Sequence, residues 1–120
     1  MGDRKELRYQ KRENELLDQQ FDQAFRYGKV RLGMDTIFWK KGLAWYHIPF
    51  SKVSRIYRRI EGVDSKMCCG NVNFDIQKLI LVLHNGEELE LLIGDGMLKE
   101  AEALYKRLKE QYSDIQFGKE

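Results

Sequence analysis

Cysteine, histidine and proline are scarce in this sequence of 120 residues, with two, two and one of them. Cys68 and Cys69 are adjacent, so they cannot form a disulfide framework. A shared metal ion is served better by a C-x2-C spacing, and neither His47 nor His84 stands at a ligand-like distance from the pair. The expectation is therefore no metal and no cofactor, with the two thiols in a loop, one inward and one outward, and Gly70 allowing the turn. A thiol redox or metal site at Cys68/Cys69 is the minor alternative. The sequence also lacks G-x-x-x-x-G-K-[ST], G-x-G-x-x-G, H-E-x-x-H and G-x-S-x-G. With no sequence signature of a nucleophile paired with a base, enzymatic activity is the least expected class. No uninterrupted apolar stretch approaches the roughly 18 residues of a membrane-spanning helix. The charged N-terminus MGDRKELRYQKRENE has no signal-peptide core, so the chain is expected to be cytoplasmic, with reduced thiols and no transmembrane segment.

What the chain does have is charge, unevenly placed. Residues 1 to 39 carry eight Lys/Arg against seven Asp/Glu, residues 40 to 60 carry six against none, and residues 61 to 120 carry seven against twelve. The basic middle contributes the candidate ligand-binding set Lys40, Lys41, Lys52, Arg55, Arg58 and Arg59, interleaved with Trp39, Trp45, Tyr46 and Tyr57. Cations among aromatic rings suit phosphates, an anionic lipid surface, an acidic protein partner or stacked bases. The plainer expectation puts Trp39 and Trp45 in the core and pairs the arginines with Glu61, Glu87, Glu88 or Glu90 across a sheet. Nucleic acid is the least expected of these partners. His47 reads as a structural histidine in a strand, and His84 as a solvated turn residue.

At 42% apolar and 33% charged residues the chain fits one globular unit, burying roughly two thirds of its unfolded surface. Leu17, Phe21, Ala24, Phe25 and Gly28 recur at three- and four-residue steps, which predicts a first helix over about residues 4 to 27 with Gly28 as its stop. TIFWKKGLAWYHI predicts a hairpin turning at Gly42, and Pro49 should end its second strand. In VSRIYRRIEGV either a bulge shifts the register or an arginine stem lies against the core. Asn85-Gly86 predicts a second hairpin with a two-residue turn, and the run Leu79 to Leu83 a central strand covered on both faces. Gly94-Asp95-Gly96 ends the sheet, with Asp95 as the expected helix cap. Met97, Ala101, Leu104, Tyr105, Leu108 and Tyr112 then trace one helical face. Residues 113 to 120 read equally well as a short edge strand or a frayed end.

"TIFWKKGLAWYHIPFSKVSRIYRR" resembles bacterial pleckstrin-homology-like (PH-like) domains, with an Ile48-Pro49-Phe50-Ser51 step and then Lys52-Val53 leading into the next strand. "LILVLHNGEELELLI" is similar to their later hairpin and "LKEAEALYKRL" to their closing helix, so the resemblance spans about residues 29 to 112. It implies an α+β, mainly β fold: an antiparallel PH-like barrel or sheet closed by a C-terminal amphipathic helix, with residues 1-28 as an extra N-terminal helical extension to a 29-120 domain. The resemblance implies lipid-headgroup recognition, peptide recognition or plain scaffolding, since one fold serves many functions. The expectation is a non-enzymatic interaction module whose partner is another protein or its own copy. Attachment to anionic lipid through the basic 40 to 59 region is the alternative, with Lys40 and Lys41 in the first hairpin loop.

Overall fold

The computed structural model describes residues 7–9, 15–67 and 70–118, with 61–67, 70–75 and 95 described by backbone alone. Among these the order is β1 (Arg8–Tyr9), α1 (Glu15–Gln23), β2 (Phe25–Tyr27), β3 (Val30–Leu32), β4 (Thr36–Lys41), β5 (Ala44–Pro49), β6 (Val53–Met67), β7 (Gly70–Leu83), β8 (Glu88–Asp95), α2 (Leu98–Gln111) and β9 (Gln116–Phe117). They form two sheets, β1-β5-β4-β3-β2 and β8-β7-β6-β9. The β9 strand lies parallel to β6 at Arg55 and Ile56, while the other pairings are antiparallel. The mainly β architecture is as expected, but the barrel is not closed. Pro49, which has no N–H to give a neighbouring strand, ends β5, and a 3-10 turn over Phe50–Lys52 carries the chain out of the first sheet into the second. Where the sheets approach, the Lys29 amide donates to the Ile93 carbonyl at 2.9 Å.

One face of each sheet and one face of α2 share the main core. Val30, Leu32, Ile37, Trp39, Tyr46 and Ile48 come from the first sheet, Val53, Ile56, Leu79, Leu81, Leu91 and Ile93 from the second, and Ala101, Leu104 and Leu108 from α2. The period-2 and period-3.6 patterns of the sequence thus meet on one surface. Tyr112 anchors the end of α2, stacking on Phe50 at 4.2 Å and donating its hydroxyl to the Met34 carbonyl at 2.7 Å. The helix begins at Leu98 with Met97 at its N-cap position, so Asp95 is not the N-cap residue but the last residue of β8.

The N-terminal helix is shorter than its spacing implied. Phe25 and Tyr27 leave the helical period and pair with Leu32 and Val30, each aromatic residue set beside an aliphatic one in the ladder. Gly28, expected to stop a helix, instead turns the β2–β3 hairpin with φ +61°. What remains of α1 packs on the first sheet's outer face. Phe21 sits against Tyr9, Phe38 and Trp45 at ring distances of 4.8, 5.2 and 5.0 Å, closing a second apolar cluster. Tyr9 donates its hydroxyl to Asp18 Oδ1 at 2.6 Å, and burial with that carboxylate holds it protonated well above its ordinary range.

Both hairpins form. Gly42 turns β4 into β5 with φ +65°, although Lys40 and Lys41 end β4 and pair with Trp45 and Ala44 instead of occupying the loop. The second hairpin turns through His84, Asn85 and Gly86, one residue longer than expected: the Gly86 amide bonds to the Leu83 carbonyl at 2.9 Å, and the Leu83 amide to the Glu87 carbonyl at 2.8 Å. Leu79 and Leu81 face the core, while Ile80, on the opposite face, is also buried, as the continuous apolar run required.

The β6–β7 ladder continues beyond β8. Pairing of β7 with β8 ends at Ile76–Asp95, whereas β6 and β7 stay in register out to Met67–Gly70. Among the described residues the outer part is a two-stranded arm, and the molecule measures 48 × 33 × 29 Å. Cys68 and Cys69 lie outside the described residues.

Candidate functional site

Strand β6 departs from simple alternation at its start. Its register with β7 shifts between Val53 and Arg55, so Val53 and Ile56, three residues apart, both face the core. On the side away from β7, the Gly118 amide donates to the Ile56 carbonyl at 3.0 Å. A strand residue points its N–H and C=O the same way, and the direction alternates along the chain. Arg58, Ile60 and Gly62 therefore present their backbone groups on that same outer side, while those of Tyr57, Arg59 and Glu61 point to β7. The β9 strand covers the outer side at Arg55 and Ile56. Beyond that, among the described residues, no strand pairs with it. Arg55 itself caps β9, donating to the Gly118 carbonyl at 2.9 Å and to Gln116 Oε1.

Ile60 lies in the middle of this open edge and is 50% exposed, against 0% for Ile56. A hollow of about 490 Å³ lined by Tyr57, Arg58, Arg59, Ile60, Tyr105 and Gly118 opens beside it. An outward row of backbone donors and acceptors with no strand neighbour among the described residues, an apolar residue at its centre and space beside it are what an added strand requires.

The six basic residues singled out in the sequence do not gather into one patch. Lys40 and Lys41 end β4, Lys52 lies in the 3-10 turn at the opposite end of β5, and Arg55 is engaged with β9. Arg58 and Arg59 are half-buried on β6, on opposite faces. Arg58 donates to Gln77 Oε1 at 3.3 Å, so its stem does lie along the core side. Arg59 donates to Glu90 Oε2 at 3.2 Å and to the Tyr57 hydroxyl at 3.4 Å. Of the interleaved aromatics, Trp39 and Tyr46 stack on each other in the core at 5.8 Å, Tyr57 is buried, and Trp45 packs against Phe21. His47 lies 6.1 Å from the rings of both Phe38 and Tyr9, and His84 is exposed in the turn as expected.

Glu90 gathers positive charge on the outer face of the second sheet. Lys78 Nζ reaches it at 2.8 Å, and this hydrogen bond, with the charges of Lys78, Arg59 and Lys41, holds its carboxyl below the ordinary range. Its folded pKa lies under its unfolded value of about 4.3, so the stabilisation is present above that value and is lost as pH falls through the folded one. Arg59 and Glu90 are 36% and 49% exposed, which limits the effect of Glu90→Gln at neutral pH to a few tenths of a kcal/mol. Urea midpoints of wild type and variant should differ at neutral pH and converge in acid. A difference that stays constant with pH would contradict this role.

A groove of about 420 Å³ lies between α1, the β3–β4 turn and the end of α2, lined among others by Leu16, Gln20, Phe25, Met34 and Gln111. Leu16, Phe25 and Met34 are 72%, 52% and 86% exposed. Neither this groove nor the open edge is legible by residue in the sequence. The groove joins residues far apart in the chain, and the edge is defined by which neighbour is missing. The one local signal is the lapse of alternation in VSRIYRRI.

No protein-family model, curated protein or solved structure matches the chain.

Proposed function

We propose that this chain is a non-enzymatic interaction module, a two-sheet variation on the PH-like arrangement from a bacterial cytoplasm, that binds a protein segment by adding it as a strand to β6. The observation that carries this reading is the outward-facing backbone of Arg58, Ile60 and Gly62, left without a strand neighbour among the described residues beyond the point where β9 stops. The arm supports it independently. A two-stranded ribbon is marginal in water on its own, so residues 61–67 and 70–75 gain most from a third strand. The scatter of the basic set makes anionic lipid the weaker reading.

Ile60→Pro tests the edge selectively. The Ile60 amide points away from β7, so proline removes an outward donor while leaving the β6–β7 ladder whole. Affinity capture from a lysate of the source organism should retain a partner on the wild type that is lost on a folded Ile60→Pro variant. Identical proteins on both, or salt-sensitive sedimentation with anionic vesicles that Ile60→Pro leaves unchanged, would overturn the reading.

A further inference from the structure

We propose that the segment taken up by this edge is the same edge of a second copy, the two β6 strands running antiparallel about a two-fold axis through Ile60. The proposal rests on the strand-addition reading above and names its partner. It follows from register and charge. A two-fold axis perpendicular to the sheet places residues opposite one another in self-complementary pairs. Because β9 occupies the edge at Ile56, a partner strand can run alongside from Tyr57 onward.

With the axis at Ile60, Ile60 faces its own copy and exchanges both backbone hydrogen bonds with it. Arg58 does the same with Gly62, since all three residues direct their N–H and C=O outward. Arg59 then stands opposite Glu61 in both directions, an opposite-charge pair made twice, and Tyr57 stands opposite Val63, an aromatic with a β-branched residue. Neighbouring registers lose this. One residue earlier sets Arg59 against Arg59. One residue later sets Glu61 against Glu61, and the register centred on Gly62 sets Arg58 against Lys66. Like charges directly opposite are destabilising, so of these four registers the Ile60-centred one is favoured, with its opposite-charge pair made twice. The same arrangement covers the half-exposed Ile60 and extends each two-stranded arm by a third strand.

Sedimentation velocity over a concentration series of the full chain tests the proposal. Wild type should form a dimer. Ile60→Pro should be monomeric, as should Arg59→Glu and Glu61→Arg, each of which places like charges opposite one another, while the double variant Arg59→Glu/Glu61→Arg should recover the dimer. Far-ultraviolet circular dichroism confirms folding, and the two charge variants keep the test open if the proline variant is unstable. A wild type that is monomeric throughout, a dimer indifferent to Ile60→Pro, or a double variant that stays monomeric would each overturn it. A monomeric wild type whose captured lysate partner is still lost in Ile60→Pro would remove the self-pairing and leave the strand-addition reading standing.

Discussion

Alanine in place of Gly28 is expected to cost the fold at least about 3 kcal/mol, enough to move a denaturation midpoint far outside experimental error. Two effects add at this position. Its φ of +61° is left-handed backbone, where a side chain costs of order 1 kcal/mol or more. In addition, a Cβ there would overlap the Ile93 carbonyl oxygen and come within 2.8 Å of Met97 Sδ. That carbonyl accepts the Lys29 amide, so moving it disturbs the place where the two sheets meet. Gly42 is the control, since it has nearly the same φ, +65°, and a Cβ added there would meet nothing within 4 Å. Gly42→Ala should therefore show the backbone cost alone. Equal losses for the two variants would mean that the approach of Gly28 to Ile93 contributes nothing.

Phe21→Ala is expected to lose about 3–5 kcal/mol of local stability, the range for truncating a buried aromatic residue. Phe21 is the one buried residue of α1, and its ring touches Tyr9, Phe38 and Trp45 while the Arg31 guanidinium lies 4.1 Å from its centroid. None of these contacts belongs to the main core between the sheets. The loss should therefore appear as release of α1 rather than collapse of the whole molecule. Native-state hydrogen exchange should show unprotected amides in α1 and near-normal protection in β7 at Leu79 to Leu83. Uniform loss of protection would contradict the division into two clusters, as would an α1 that keeps its protection.

Local chemistry explains which parts of this fold were legible in the sequence. Gly42, the Asn85-Gly86 pair and Pro49 act within a few residues of themselves, and the strands begin and end within two residues of them. The face from Ala101 to Leu108 was legible because a helix buries one stripe whatever it packs against. Where tertiary pairing competes with local period, the pairing prevails. Phe25 satisfies a helical spacing, yet it sits opposite Leu32 in a strand. Whether antiparallel strands close into a barrel or part into two sheets depends on pairing between strands far apart in the chain, which alternation along any one strand does not encode. The basic set illustrates the same limit, for a run of six cations along the chain is divided among two strands, a turn and a C-terminal cap once folded. Residues 113 to 120 carried no preference, and a parallel contact with Arg55 and Ile56 makes Gln116–Phe117 a strand.

Amide exchange along β6, followed by NMR at low and high protein concentration, tests the central claim most directly. In dilute protein the account predicts alternation: Tyr57, Arg59 and Glu61 slow through their bonds to β7, and Arg58, Ile60 and Gly62 fast on the open edge. At high concentration the fast set should slow as the edge is filled. If Arg58, Ile60 and Gly62 already exchange as slowly as their neighbours in the dilute monomer, the edge is not open and the proposed site does not exist.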